Sequence, residues 1–316
     1  MRSLMKKMGF GCWQIGGNHQ LNGVCNGWQP MEKKERIALV ERAIELGFKF
    51  FDTASGYGDG ESEEILGLGI RNSRKRDVVD ICTKINIKNL EENGGYTWKA
   101  FEKTVYKSLQ RIKVDKVDTL LFHSPPSDFI CEKFLDFFEE AKVRSIIGNY
   151  GVSARSLADV DKVLKVNFGK TLQWNFSVLE RRATQVLGAY QVDKDFSFIG
   201  RSVLYRGLLT ENFIESGAKT KFNDARSQFD LDLVDWVYRN AISLQKQSEQ
   251  LDISISQLAI IFALMNPSVN VGLIGVRTFE NLDSLEQLIC MNESKMLACY
   301  EIANNFRPLP SNLPVT

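Results

Sequence analysis

The stretch Phe48–Tyr57, FKFFDTASGY, joins an apolar run to a polar turn, and how it is read decides the fold. Phe48, Phe50 and Phe51 make the body of a short strand; Asp52 stands at its end, and Thr53-Ala54-Ser55-Gly56 has the composition of a turn. Two more runs share this construction. VVDICTK, residues 78–84, ends in Lys84, and VDTLLFH, residues 117–123, ends in His123. In a barrel of parallel strands, all strand ends of one polarity open onto one face, where polar groups distant in the chain converge. Asp52, Tyr57, Lys84 and His123 are therefore expected in one pocket.

Outward from these runs, apolar segments alternate with segments of helical period, the pattern of βα units around a parallel sheet. Strands are expected near 7–13, 48–52, 78–83, 117–122, 145–151, 171–175, 196–202 and 270–275. The fold class is α/β, a (β/α)8 TIM barrel with a short N-terminal strand and a C-terminal helical tail over 292–305. Helices are expected over 32–46, with Gly47 as C-terminal cap, and over 98–112, where Trp98, Phe101, Val105, Leu109 and Ile112 share a face. Segments 229–249 and 254–265 also read as helices, the second capped by Ser254 or Ser256. The polar stretch Thr210–Gln228 is too long for an ordinary βα connection and reads as a loop that covers a cofactor. With no linker or low-complexity segment, residues 1–316 read as one domain.

Composition narrows the function. Apolar residues are 44% and charged residues 25%, ordinary for a globular chain, and a formal charge of +1 offers no broad attraction to nucleic acid or acidic membranes. The N-terminus MRSLMKKMGFGCW has no apolar core with a cleavage site, and no run approaches membrane-spanning length, so a cytoplasmic location is expected. Cys12, Cys25, Cys82, Cys131, Cys290 and Cys299 lack C-x-x-C spacing and read as reduced thiols. With His19 and His123 as the only histidines, no metal site is expected.

The four polar residues suggest proton delivery to a carbonyl oxygen while a hydride arrives from elsewhere. Tyr57 is the acid; a phenol near pKa 10 needs on the order of 4 kcal/mol of phenolate stabilisation to approach neutrality. Lys84 can supply it, Asp52 can position Lys84, and a neutral His123 can direct the substrate oxygen. Each has a duller alternative: Asp52 a cap or turn residue, Tyr57 a half-buried loop residue, Lys84 a charged strand tip, His123 a satisfied core histidine.

Phe51-Asp52-Thr53-Ala54-Ser55-Gly56-Tyr57-Gly58, continued by Glu61-Ser62-Glu63 and Leu66-Gly67, resembles the signature of the aldo-keto reductases, a (β/α)8 family that uses NAD(P)H without a Rossmann domain. The resemblance extends from Gly9-Phe10-Gly11-Cys12-Trp13 to Leu273-Ile274-Gly275-Val276-Arg277, almost the whole chain. The Rossmann fingerprint is indeed missing, because Gln14 stands where its third glycine belongs.

The resemblance implies a small-molecule carbonyl substrate and NADPH as cofactor, with NADH also possible. It places Gly11, Cys12 and Trp13 near the nicotinamide, and Ser153 and Gln173 on its carboxamide. Arg201 stands where many relatives have an aromatic residue against the nicotinamide, and a planar guanidinium can stack there. Ser202, Leu204 and Gly207 would offer backbone N–H groups to the pyrophosphate. Gly275, Val276, Arg277 and Asn281 lie in the segment that grips the adenosine phosphate, and Arg277 can meet a 2′-phosphate. Three departures stand out: Ala154 replaces a common asparagine, Val203 a common proline, and Ser284-Leu285 an acidic residue and an asparagine at the adenine.

Carbonyl reduction is preferred over alkene reduction, because steroid double-bond reductases of this family carry an acidic residue at the position of His123. A slowly turning nucleotide-binding regulatory subunit, like the potassium-channel β subunits of the family, is the alternative. A polyhydroxylated aldehyde or sugar is the leading substrate expectation, with a small aliphatic or aromatic aldehyde next. The stretch from Gly16-Gly17-Asn18-His19-Gln20 through Trp28 and the segment Asn86-Ile87-Lys88-Asn89 make a partly polar rim, with Trp13 and Trp28 the aromatic residues near it. Oligomeric state is left open.

Overall fold

In a computed structural model, residues 2–21, 24–29, 31–190, 192–308 and 310 are described. Alternation of strand and helix gives β1 Met8–Gly11, the short β2 Gln20–Leu21 and β3 Val24–Cys25, then β4 Phe50–Asp52, β5 Asp80–Ile85, β6 Val117–His123, β7 Ile147–Ser153, β8 Thr171–Asn175, β9 Ser197–Arg201 and β10 Val271–Gly275. β2 and β3 pair with each other antiparallel. The other eight are parallel and close into a barrel in the order β1-β10-β9-β8-β7-β6-β5-β4, with β4 returning to β1. This is the (β/α)8 barrel expected, and the short N-terminal strand is its first stave. A helix Arg2–Met5 precedes it, which the sequence reading did not anticipate.

Helices cover the barrel because each keeps an apolar stripe at turn spacing. Helix Trp98–Ile112 buries Phe101, Val105, Leu109 and Ile112 and starts where the Thr97 hydroxyl accepts from the Ala100 amide. Helix Lys33–Glu45 stops at Gly47, whose φ of 98° lets Phe48 N–H reach back to the Ala43 carbonyl. Ser254 caps Ile255–Met265 in a reciprocal box with Gln257. The C-terminal helix is Glu293–Asn304.

The stretch Thr210–Gln228 is not a plain loop. It contains a short helix, Glu211–Ser216, and a 3-10 turn, Ala225–Gln228, capped by Asp224. After β5, the polar Asn86–Asn89 segment opens a helix, Ile87–Glu92, with Asn86 and Asn89 capping each other.

Register is what assembles the site. Gly11 pairs with Asp52 and with Gly275, His123 with Ser153, Ser153 with Gln173, and Asn175 with Arg201. Six strands therefore end on a residue singled out from sequence: Gly11, Asp52, His123, Ser153, Arg201 and Gly275. All open on the C-terminal face, where barrels of this class carry their chemistry.

Candidate active site

Asp52 and Lys84 are buried at the barrel mouth, and the Lys84 ammonium donates to Asp52 Oδ2 at 2.6 Å and to the Thr53 carbonyl at 2.8 Å. Its third donor faces Tyr57 Oη at 3.3 Å. A buried cation needs such pairing, since an unpaired ammonium in a dry site would give up its proton. Here burial pulls the Lys84 pKa down, but the Asp52 charge and hydrogen bond, with Tyr57 and Cys82 adding to them, more than offset it and lift the pKa, which keeps the ammonium charged. Asp52 is thus neither a cap nor a turn residue.

Tyr57 is fixed by its neighbours. Its ring stacks on Trp13 at 6.0 Å between centroids and meets the His123 ring edge-on at 5.7 Å. The next residue, Gly58, has φ of 60°, and a Cβ there would lie 2.0 Å from the Gly16 carbonyl oxygen. Only glycine lets the turn after Tyr57 pack against the loop that follows β1.

One expectation is corrected. Lys84 does not make the phenol more acidic in net: burial pushes the Tyr57 pKa up, and Lys84 only partly offsets this, opposed in turn by the Asp52 charge. The ammonium lies closer to the carboxylate than to the phenol, and its pull on Tyr57 is smaller than the effect of burial. Tyr57 therefore holds its proton at neutral pH. His123 is neutral as required, its pKa pushed down to about 3 by burial and by the Lys84 and Arg201 charges. Its Nδ1 has no partner among the described residues.

Gln173 ties the carbonyl end of the mouth to this group. Its Nε2 donates to Asp52 Oδ1 at 2.7 Å, and its Oε1 accepts from Ser153 Oγ at 2.9 Å. The amide orientation is forced, because a carbonyl oxygen cannot face a carboxylate.

A cleft of about 1240 Å³ runs outward from Tyr57. Gly11, Trp13, Ser153 and Gln173 line it near the phenol; Arg201, Ser202, Leu204 and Gly207 line it after β9; Gly275, Arg277 and Asn281 line it after β10. Two expected residues are not there: Cys12 and Val276 are fully buried in the core. Cys12 also spends its backbone, with N–H to the Asp52 carbonyl and C=O to the Ser62 hydroxyl. The Gly207 amide is likewise engaged, donating to the Leu204 carbonyl at 2.9 Å, whereas the Ser202 and Leu204 amides carry no bond among the described residues. Asn281 Oδ1 accepts from the Arg277 and Thr278 amides and so caps helix Phe279–Ile289 at the edge of the cleft.

The family model described as the aldo/keto reductase family matches residues 7–296. The chain belongs to the aldo/keto reductase family. Among relatives, the aldo-keto reductase YhdN of Bacillus subtilis is 27% identical over 89% of this chain and 84% of its own length. The uncharacterized oxidoreductase YqkF of the same organism is 25% identical over 88% and 85%. The glycerol dehydrogenase AKR11B4 from Gluconobacter oxydans superposes with a TM-score of 0.73 at 21% identity, over 98% of this chain and 95% of that one, which shows the shared barrel.

Within this aldo/keto reductase the cleft also holds Arg226, which carried no assignment from sequence. Trp28 packs edge-on against Trp13 at 5.6 Å, and the guanidinium groups of Arg226 and Arg277 lie over the Trp28 ring at 5.2 and 5.3 Å. Arg226 is neutralised by Asp224 at 2.6 Å. Ala225 N–H donates to the Gly27 carbonyl, so the Thr210–Gln228 stretch is joined to the segment after β3. Trp28 was visible as a rim aromatic; Arg226 sits in a polar stretch with no local signal. No group of His, Cys, Asp and Glu among the described residues is placed to hold a metal, all six cysteines are free, and no described helix is long and apolar enough to cross a membrane.

Proposed function

We propose that this protein reduces an aldehyde or ketone, with Tyr57 as the proton donor and NADPH, or NADH, as the hydride source. The observation that carries the reading is the contact chain Asp52–Lys84–Tyr57 at 2.6 and 3.3 Å beside a neutral His123. When bound, the dinucleotide supplies a hydride to the carbonyl carbon. The residues supply the rest. Tyr57 holds its proton until the carbonyl oxygen gains charge, then donates it, and the adjacent Lys84 ammonium stabilises the phenolate left behind. Neutral His123 donates a hydrogen bond that points the oxygen at Tyr57.

The cleft fits the dinucleotide by its chemistry. Ser153 offers an acceptor at the carboxamide end, the free Ser202 and Leu204 amides suit phosphate oxygens, and Arg277, with no acid partner among the described residues, suits a 2′-phosphate. The last feature favours NADPH. The reading places the protein in the cytoplasm, where reduced thiols and this cofactor coexist, as a single barrel domain over 1–316.

The test follows NADPH absorbance against a panel of aldehydes, ketones and sugars. Turnover by the native protein, lost in Tyr57→Phe with nucleotide still bound, is the expected result. Tight nucleotide binding with no carbonyl consumed would sink it and leave the regulatory-subunit reading.

A further inference from the structure

Several cations of the barrel mouth pair with no acid among the described residues. Lys84 is matched by Asp52 and Arg226 by Asp224. Among the described residues Arg201 donates to the Ala154 carbonyl at 3.4 Å and pairs with no acid. Arg206 has no hydrogen bond or ion pair among the described residues, and its Nε is buried without a partner. Instead its guanidinium lies over two rings, Trp13 at 5.3 Å and Phe229 at 5.2 Å. Aromatic faces engage the flat sides of a guanidinium and leave its edge, with the N–H donors, to something else. Arg206 lines the cleft.

The backbone that presents Arg206 is strained. Ser202, Tyr205 and Arg206 have φ of 60°, 49° and 52°, left-handed values that side chains with a Cβ avoid. Such residues persist where the surrounding structure holds them for a purpose, at a cost of about 1 kcal/mol or more each. Here the result is to aim one uncompensated guanidinium into the cleft beside Trp13, whose ring stacks on Tyr57. Of the cleft's other cations without an ion pair among the described residues, Arg277 lies over Trp28, one ring further from the phenol, and Arg201 donates to the Ala154 carbonyl.

We propose that Arg206 is the receptor for a carboxylate on the substrate, so that the preferred substrate is a carbonyl compound that also carries an acid group. This deepens the carbonyl-reductase reading and rests on it. Edge-on N–H donors in one plane match the two coplanar oxygens of a carboxylate, and burial strengthens such a charge-assisted pair. Burial also lowers the Arg206 pKa to about 10, with Arg201 adding to the effect, and the group is still charged at neutral pH. Oxo acids and semialdehydes, rather than neutral sugars, are then the preferred substrates.

The experiment uses the native protein with NADPH and length-matched pairs: succinic semialdehyde against butanal, 4-carboxybenzaldehyde against benzaldehyde, and glyceraldehyde 3-phosphate against glyceraldehyde. The expected result is a kcat/KM ratio, acid over neutral, that falls on the order of 10- to 100-fold in Arg206→Met through KM, and is partly restored in Arg206→Lys. The nucleotide Kd, read by fluorescence titration, should not follow that fall. Neutral aldehydes reduced as well as their acids by the native protein would overturn this inference and leave the carbonyl-reductase reading standing. So would a preference for the phosphate ester without one for carboxylates. A nucleotide Kd that rises in Arg206→Met while the acid ratio holds would assign Arg206 to the cofactor phosphates instead. No reduction of any pair, with NADPH bound, removes both readings together.

Discussion

The inner and outer parts of the cleft are built on opposite terms. Around Tyr57, donors and acceptors are spent on one another: Gln173 and Lys84 each take one oxygen of Asp52, and Ser153 closes the chain at Gln173 Oε1. Further out, among the described residues, Arg206 and Arg277 lie over aromatic rings with no ion pair, and the Ser202 and Leu204 amides carry no bond. A closed network sets geometry without help from a ligand, which is what proton transfer needs. An open set of donors has its energy to gain only when an anion arrives. The inner part should therefore answer to mutation in stability and turnover, the outer part in recognition.

Breaking the inner network at Lys84 should have the largest effect. Lys84→Met leaves Asp52 charged and buried with no cation beside it, a loss of about 3–5 kcal/mol in unfolding free energy, together with turnover. Denaturant unfolding checks it, and adding Asp52→Asn should recover part of the stability but none of the activity. A single mutant as stable as the native chain would show that the pair is not the closed unit described. Tyr57→Phe comes next and separates chemistry from fold. It should lose turnover by roughly 10²–10⁴-fold, since a positioned acid contributes that much, while melting within a few degrees of the native protein.

How far this division can be read from sequence depends on range. Strand β8 at Thr171–Asn175 and helix Trp98–Ile112 have the predicted bounds, because a five-residue apolar run and an apolar stripe at turn spacing are local signals. Asp52, Lys84 and His123 were legible as polar ends of apolar runs for the same reason. Their partners were not: Gln173 and Asp52 are 121 residues apart, and only the barrel register brings them together. The direction of the Tyr57 shift was missed because burial is a property of the whole mouth. Arg206 lay in a run read for its backbone, and no local feature says that a guanidinium will find rings instead of acids. Asn86 and Asn89 registered only as polarity, although their pairing caps a helix.

Protonation tests the inner part more gently. His123 has its pKa pushed from 6.5 down to about 3. Between those values the unfolded chain binds a proton that the folded chain refuses, so stability is full above about pH 6.5 and is lost as pH falls, by about 1.4 kcal/mol per unit. Going from about pH 6.5 to about pH 4.5 should cost the native protein on the order of 2–3 kcal/mol more than His123→Asn, which cannot take up that proton. Unfolding curves of the two proteins at both pH values measure the difference. Equal losses would mean that His123 is accessible to protons in the folded state.

The smallest effect sits where the two parts meet. Ser153 has one hydroxyl proton, and it goes to Gln173 Oε1, whose orientation Asp52 dictates. The serine can then only accept a hydrogen bond from the cleft. A nicotinamide carboxamide offers an NH2 for it, whereas the 3-acetylpyridine analogue of the cofactor keeps the carbonyl and lacks the NH2. The native protein should bind the natural cofactor about two- to tenfold more tightly than the analogue, the worth of one neutral hydrogen bond, and Ser153→Ala should bind both alike. If the mutant keeps the discrimination, some other acceptor reads the carboxamide. If the native protein shows none, the closed network ends at Gln173 and does not reach the cofactor, and the boundary between the two parts lies one residue further in.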